Sequence, residues 1–241
     1  MFNVLGRSIG HADVIGWQPA GGSLSVYTRH EETVVEAAAT EACPVRLQAY
    51  WQIASSEAVD LQVLVASDCP VSEVEVPTAT RLSATQVLVP ATTDGIKEFV
   101  DVDRHLSVRA ARLTFERRQD DDRLAAPATP VASSAGLLLD APLVVFRLAD
   151  GETTYVEMAR AEDVERLSIE RRRKTPADEG RRPIGSAGEM EARCVLFGRS
   201  LEKGVILRSR LRAALLPRAA DLERARELFQ QFSAEPPPLA V

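Results

Sequence analysis

Lysine is nearly missing from this sequence. Lys97, Lys174 and Lys203 are the only three, so 26 of the 29 basic residues are arginine. Asparagine occurs once, at Asn3, and histidine three times, at His11, His30 and His105. Such a bias reads first as the base composition of a genome. Read chemically, guanidinium groups suit bidentate recognition of anions. Cysteine is scarce as well: Cys43, Cys69 and Cys194 are odd in number and far apart. They fit neither a disulfide framework nor a Cys-x-x-Cys metal site and are expected as reduced, mostly buried thiols. The histidines share no His-x-His or His-x-x-x-His spacing, so neither a metal nor a cofactor is expected. With 7 Phe, 3 Tyr and 2 Trp, aromatics are few, and the net charge is −6. No nucleic-acid-binding motif accompanies them, and a nucleic-acid partner is not expected. No apolar run approaches the ~18 residues of a membrane-crossing helix. Met1 to Trp17 lacks the basic-then-apolar order of a secretion signal, so the expectation is a cytoplasmic protein without a membrane partner. Oligomeric state is not legible.

What the sequence has in quantity is alternation. In Val45 to Ile53, Val45, Leu47, Ala49, Trp51 and Ile53 fall on one face of a strand. Arg46, Gln48, Tyr50 and Gln52 fall on the other. Val59, Leu61, Val63 and Val65 repeat the period almost at once. Period two marks half-buried antiparallel strands. Strands are expected near 13–18, 23–29, 33–40, 45–54, 59–66, 72–76, 80–89, 96–102, 105–116, 143–149, 153–159, 190–197 and 204–215. In the 105–116 strand the phase changes between Ala110 and Ala111, as a bulge would cause. Asp150-Gly151 is the strongest hairpin signal, a type I′ turn with positive φ at both central residues. Asp94-Gly95 is a weaker one, in a longer connection after Val87 to Val89.

Many short strands at near-regular spacing, with no βαβ unit, predict an all-β fold: an antiparallel β-sandwich or a large open barrel. A C-terminal α-helix packs on it. This helix starts near Ala220 or Asp221, with Asp as N-cap, and carries the stripe Leu222, Ala225, Leu228, Phe229 and Phe232. Ala161 to Leu167 is expected as a second, shorter helix. The domain reading is an N-terminal arm at 1–12, one β-sandwich domain at 13–234 with mobile loops at 117–142 and 171–188, and a Pro-rich tail at 235–241.

Several motifs bear on chemistry. Gly6-Arg7-Ser8-Ile9-Gly10 matches the G-x-S-x-G nucleophile elbow, but that motif needs a strand, a sharp turn and a helix on a parallel sheet. Phe197-Gly198-Arg199-Ser200-Leu201 reads as a second turn of the same kind, or as chance. The basic runs Arg171 to Lys174 and Arg181–Arg182 read as a solvated loop. The most ordered polar feature is the strand after Glu202-Lys203-Gly204. There Arg208, Arg210 and Arg212 share one face, alternate side chains being roughly 7 Å apart. Three like charges in a row need carboxylates, an anion or open water beside them. Carboxylates on a neighbouring strand are the plain reading, and an acidic ligand is the functional one. Gln48 and Tyr50 offer planar donors and an aromatic platform of the kind a sugar uses. The pairs Glu73 with Glu75 and Glu152 with Glu157 could serve acid–base work only if distance and environment allow.

Leu201-Glu202-Lys203-Gly204-Val205-Ile206, the alternating arginines, Leu216-Pro217-Arg218, Asp221, the helix and the Pro-Pro-Leu tail together resemble a family of uncharacterised bacterial proteins. Tyr155-Val156-Glu157-Met158 and Asp163 are similar to the same family, and the match spans roughly 143–240. That family carries no assigned activity to transfer. The long all-β pattern more loosely resembles the galactose-mutarotase-like supersandwich. This resemblance implies a His and a Glu that move a proton on and off a sugar ring, for which His105, Glu157 and Glu202 are the available candidates.

Three functions are therefore carried forward. The first is a non-catalytic binding module for a carbohydrate or another polar, anionic small molecule, with Arg208, Arg210, Arg212, Gln48 and Tyr50 as contacts. The second is a sugar-modifying enzyme of mutarotase or epimerase type. The third is a structural or protein-interaction module.

Overall fold

The computed structural model describes residues 8–9, 12–15, 24–29, 32–37, 45–55, 57–93, 95–102, 112–116, 131–132, 138–171 and 188–236. Strands β1 (Ser8–Ile9), β2 (Ala12–Ile15), β3 (Leu24–Arg29), β4 (Glu32–Ala37), β5 (Val45–Ile53) and β6 (Ala58–Ser67) come first. The long β7 (Val71–Thr93) follows, then β8 (Ile96–Asp101), β9 (Arg112–Glu116), β10 (Val131–Ala132) and β11 (Leu138–Leu139). The last five are β12 (Leu143–Leu148), β13 (Thr153–Ala159), β14 (Val164–Arg171), β15 (Gly188–Leu201) and β16 (Ile206–Pro217), before helix α1 (Asp221–Ala234). The main path runs β3-β4-β5-β6-β16-β13-β12-β7-β15-β14-β9, antiparallel at every pairing along it. The sheet does not close. The expected all-β antiparallel sandwich with a C-terminal helix packed on it is the fold.

One hydrogen bond shows how a single sheet makes two layers. Glu157 on β13 is opposite Val144 on β12, and Val145 is opposite Leu88 on β7. In a flat sheet Glu157 would therefore lie in the row of Val89. Yet its carboxylate accepts from the hydroxyl of Thr80, about 30 Å further along β7 at strand rise. The sheet has folded over on itself. β7 makes this possible by changing partners along its length: β15 over Val71 to Ala84, β12 over Ala84 to Leu88, β8 over Leu88 to Thr93. Between the layers lies the larger core, with Leu47, Val63, Val76, Phe115, Phe146 and Leu196 among its members. A smaller core lies under α1, where Val145, Val156, Met158, Ala214 and Leu216 meet Ala225, Leu228 and Phe232.

Several expectations are corrected. The two strands expected at 72–76 and 80–89 are one strand. Pro77 sits inside the ladder opposite Val195. Proline contributes no N–H there, and the neighbouring Thr78 hydroxyl donates to the Cys194 carbonyl at 3.2 Å. Ala161 to Leu167 is not a helix: Ala161–Asp163 forms a turn and Val164 begins β14. Flanking ladders to β15 and β9 satisfy its backbone and override local propensity. Part of the loop expected at 117–142 forms strands, β10 and β11, and β11 pairs with β7. Asp150-Gly151 does not make a type I′ turn, because only Gly151 has positive φ (81°). Its N–H donates to Leu148 at 3.2 Å, and the Asp150 carboxylate accepts from the N–H groups of Glu152 and Thr153. Between β7 and β8, Thr93 pairs directly with Ile96, and Gly95 before it has positive φ (82°). Phe197-Gly198 is no strand-to-helix turn but a bulge in β15, both residues left-handed (φ 77° and 58°). The phase change expected at Ala110–Ala111 lies outside the described residues.

The helix begins where expected, but Asp221 is not its N-cap. Ala220 holds that position in left-handed conformation without a side-chain cap. Asp221 turns into the sheet, accepting from Arg147 Nε and Nη2 at 2.9 and 3.0 Å and from the Thr154 hydroxyl at 2.8 Å. Although its burial acts to raise the pKa, these hydrogen bonds hold it below the ordinary carboxylate range. Arg147 Nη1 in turn donates to Gln86.

Candidate functional site

The face of β5 opposite to Leu47 and Ala49 carries Gln48, Tyr50 and Gln52. Directly opposed residues of antiparallel strands point to the same side, so register identifies their neighbours. Tyr50 lies opposite Gln62, and Gln62 opposite Arg210. Gln52 lies opposite Asp60, and Asp60 opposite Arg212. Gln48 lies opposite Leu64, and Leu64 opposite Arg208. The Gln48/Tyr50 pair and the three arginines, far apart in sequence, thus share one surface with β6 between them. Side chains of β5 and β6 are linked across these rows. The Tyr50 hydroxyl donates to Gln62, and Gln62 Nε2 donates to Gln52 at 3.2 Å.

The arginines are not in open water. Arg210 and Arg212 are each 8% exposed, and Asp60 between the strands is 5% exposed. Arg212 donates from Nε and Nη2 to the two Asp60 oxygens at 2.7 and 2.9 Å, a bidentate pair. From Nη1 and Nη2 it also reaches the two oxygens of Glu235, at 2.6 and 2.9 Å. Arg210 Nη1 lies 2.8 Å from Glu235 and 3.7 Å from Asp60. Both guanidiniums lie over the ring of Phe232, 4.8 and 5.1 Å from its centroid. Arg160 donates to the Glu235 carbonyl and, at 3.0 Å, to Glu162. Hydrogen bonds to Asp60 raise the Arg212 pKa despite its burial. Glu235, which burial would raise, is held below its ordinary range by hydrogen bonds from Arg212. The carboxylate on the neighbouring strand that the arginine row demanded is Asp60.

Asp60, Gln62, Arg160, Phe232 and Glu235 were missed. Asp60 and Gln62 had a signal, since they alternate with Val59, Leu61 and Val63 and so must face away from the core. Glu235 had none, because it was read as the start of a tail. It is instead the C-cap of α1, with φ −66° and ψ 141°.

The two acid–base candidates among the described residues, Glu157 and Glu202, lie in different surroundings. Glu157 is on the opposite face of the sheet from the arginines, being paired with Ala213 rather than Arg212. It accepts from Thr80 and, at 3.2 Å, from the Tyr155 hydroxyl, in the space between the layers. Burial raises its pKa against the lowering effect of those hydrogen bonds, and burial likewise raises Tyr155. Glu202 is exposed in the turn between β15 and β16. His105, like His11 and His30, lies outside the described residues. Ser8 of the G-x-S-x-G string pairs with Asp13 in an antiparallel ladder. Among the described residues no group of three or more His, Cys, Asp or Glu could hold a metal ion, and no helix is long and apolar enough to cross a membrane. Cys194 is buried as expected, but Cys69 is exposed.

No protein-family model matches the chain, and no curated protein matches its sequence. Among solved structures it is similar to a candidate aldose 1-epimerase from Escherichia coli K12, at 9% identity and a TM-score of 0.48, over 89% of this chain and 81% of that one. A candidate mutarotase from Salmonella typhimurium is similar at 11% identity and a TM-score of 0.42, over 82% of this chain and 65% of that one. A candidate aldose 1-epimerase from Klebsiella pneumoniae subsp. pneumoniae is similar at 10% identity and a TM-score of 0.48, over 89% of this chain and 59% of that one. The chain therefore spans less than two thirds of the length of the latter two. These are proteins of the kind that the galactose-mutarotase-like resemblance names. At such identities no residue of theirs maps onto one here, and function rests on this chain's own side chains.

Proposed function

We propose that this protein is a non-catalytic binding module for a carbohydrate or another polar, anionic small molecule, which it takes on the outer face of β5, β6 and β16. The observation that carries this reading is the register that sets Gln48 and Tyr50 beside Gln62 and the arginine row. Amide and guanidinium donors flank an aromatic ring there, on a face where α1 packs against β16, β13 and β12. Buried polar networks of this kind order side chains in advance of a ligand. A thermal-shift panel of neutral sugars, sugar acids and sugar phosphates tests it. Stabilisation by one class, lost in Tyr50→Ala and Arg208→Ala, is the expected outcome. No shift with any member of the panel overturns the reading.

A second reading, a sugar-modifying enzyme, is favoured by Glu157. A carboxyl whose pKa is raised by burial keeps its proton to higher pH than an exposed one and can serve as a proton donor. Polarimetry of freshly dissolved aldoses checks it: mutarotation faster than the buffer rate, abolished by Glu157→Gln, supports an epimerase, and a rate equal to buffer removes it.

A further inference from the structure

We propose that Arg160, Arg210 and Arg212 form a site for a small carboxylate-bearing molecule, and that the carboxylate of Glu235 occupies it in the free protein as a displaceable latch. The inference deepens the binding reading above and rests on it. Four observations lead to it. Arg210 Nε and Nη2 and Arg160 Nε are buried and without a hydrogen-bond partner. Three guanidinium nitrogens in one cluster thus lack the acceptors that buried donors ordinarily have. The Glu235 side chain is 36% exposed above Arg210 and Arg212 at 10% each, so it lies on the solvent side of the cluster. It can leave without the sheet opening. Glu235 also stands at the C-terminal end of α1, where the helix macrodipole disfavours negative charge. The helix holds its backbone through the N–H bond to Gln231, and the arginines place its carboxylate. Finally, without it Arg210 and Arg212, two buried guanidiniums, would share the single carboxylate of Asp60 as their ion-pair partner among the described residues. A cluster left with excess buried positive charge needs an anion.

A carboxylate is the chemistry that fits, since the present occupant is one and bridges Arg212 Nη1 and Nη2 with Arg210 Nη1. Gln62 and Tyr50, next in register, are placed to meet hydroxyls of a sugar that carries such a group.

The test measures melting temperature for the full chain, Glu235→Gln and Glu235→Ala, each with acetate, D-glucuronate or D-glucose. At ten times Kd the expected rise is roughly 3–6 °C for a chain of this size. Glu235→Gln should show it with acetate and glucuronate but not with glucose, and the unmutated protein should need at least tenfold more ligand. Adding Arg210→Ala should remove it. A variant too unstable to fold alone should regain its cooperative transition in acetate; no regain counts against the proposal. Equal ligand requirements with and without Glu235 overturn the latch and leave the binding reading standing. A response to glucose equal to that for glucuronate overturns the carboxylate assignment alone. Silence of every protein to all three ligands overturns the latch, and silence across the wider sugar and phosphate panel as well overturns the binding reading.

Discussion

At the scale of single residues, two carboxylates on opposite faces of one sheet respond to pH in opposite ways. Glu157 has a raised pKa because burial penalises its charged form. Between the unfolded-state value, about 4.3, and its higher native value, the folded protein binds more protons than the unfolded chain. Stability contributed by this group is therefore full at low pH and lost as pH rises through the native value. Glu157→Gln should flatten that loss, and urea unfolding of both proteins across the pH range checks it. Asp221 is the reverse case: its lowered pKa gives stability present above the unfolded value and lost as pH falls toward the native one. Its removal is also costly in itself. Arg147 and Asp221 have side chains 20% and 3% exposed, and Arg218 also lies close enough for its pKa to be lowered, first by burial and then by Arg147. Asp221→Ala should cost about 3–5 kcal/mol, the usual effect of leaving a buried partner uncompensated, measured by chemical denaturation.

At the scale of elements, β15 and α1 depend on local features that a period-two reading hides. The bulge at Phe197-Gly198 lets β15 continue its ladder with β7 while Phe197, 1% exposed, stays in the core. A Cβ on Gly198 would fall 2.4 Å from Glu165 Cγ, and the backbone there is left-handed (φ +58°). Gly198→Ala should therefore destabilise by about 1–2 kcal/mol, read as a lower urea midpoint at unchanged m-value. Phe232 joins the apolar stripe of α1 to the guanidinium pair beneath it. Phe232→Ala removes a fully buried ring and should cost about 3–5 kcal/mol. In the same melts it should weaken any ligand response that requires Arg210.

At the scale of the molecule, α1 is the cover of a sheet that would otherwise present an apolar face to water. It is held at one end by Arg147 with Asp221 and at the other by Arg210 and Arg212 with Glu235. Truncation before Asp221 should expose Val145, Val156, Met158, Ala214 and Leu216. An apolar patch of that kind on a sheet favours association. The truncated chain should bind a hydrophobic dye and sediment as aggregates, whereas the full chain should do neither. A soluble truncated chain that binds no dye would show that the helix is dispensable.

Alternation alone determined that this chain is built of antiparallel strands and which residues of β5, β6 and β16 face the core, because a pleated strand has only two sides. The same rule put Gln48 with Tyr50, and Arg208 with Arg210 and Arg212, on outward faces. It also marked the stripe of α1. Tertiary structure alone decided that β6 brings those two groups onto one surface, since strand order depends on long-range pairing that no local pattern encodes. It likewise decided that Glu235, from beyond the helix, closes on the arginines, that residues 164–171 join a sheet, and that Glu157 meets Thr80 across the folded layers. Each of these needed a partner distant in sequence, and a distant partner is chosen by packing and charge only once the chain has folded.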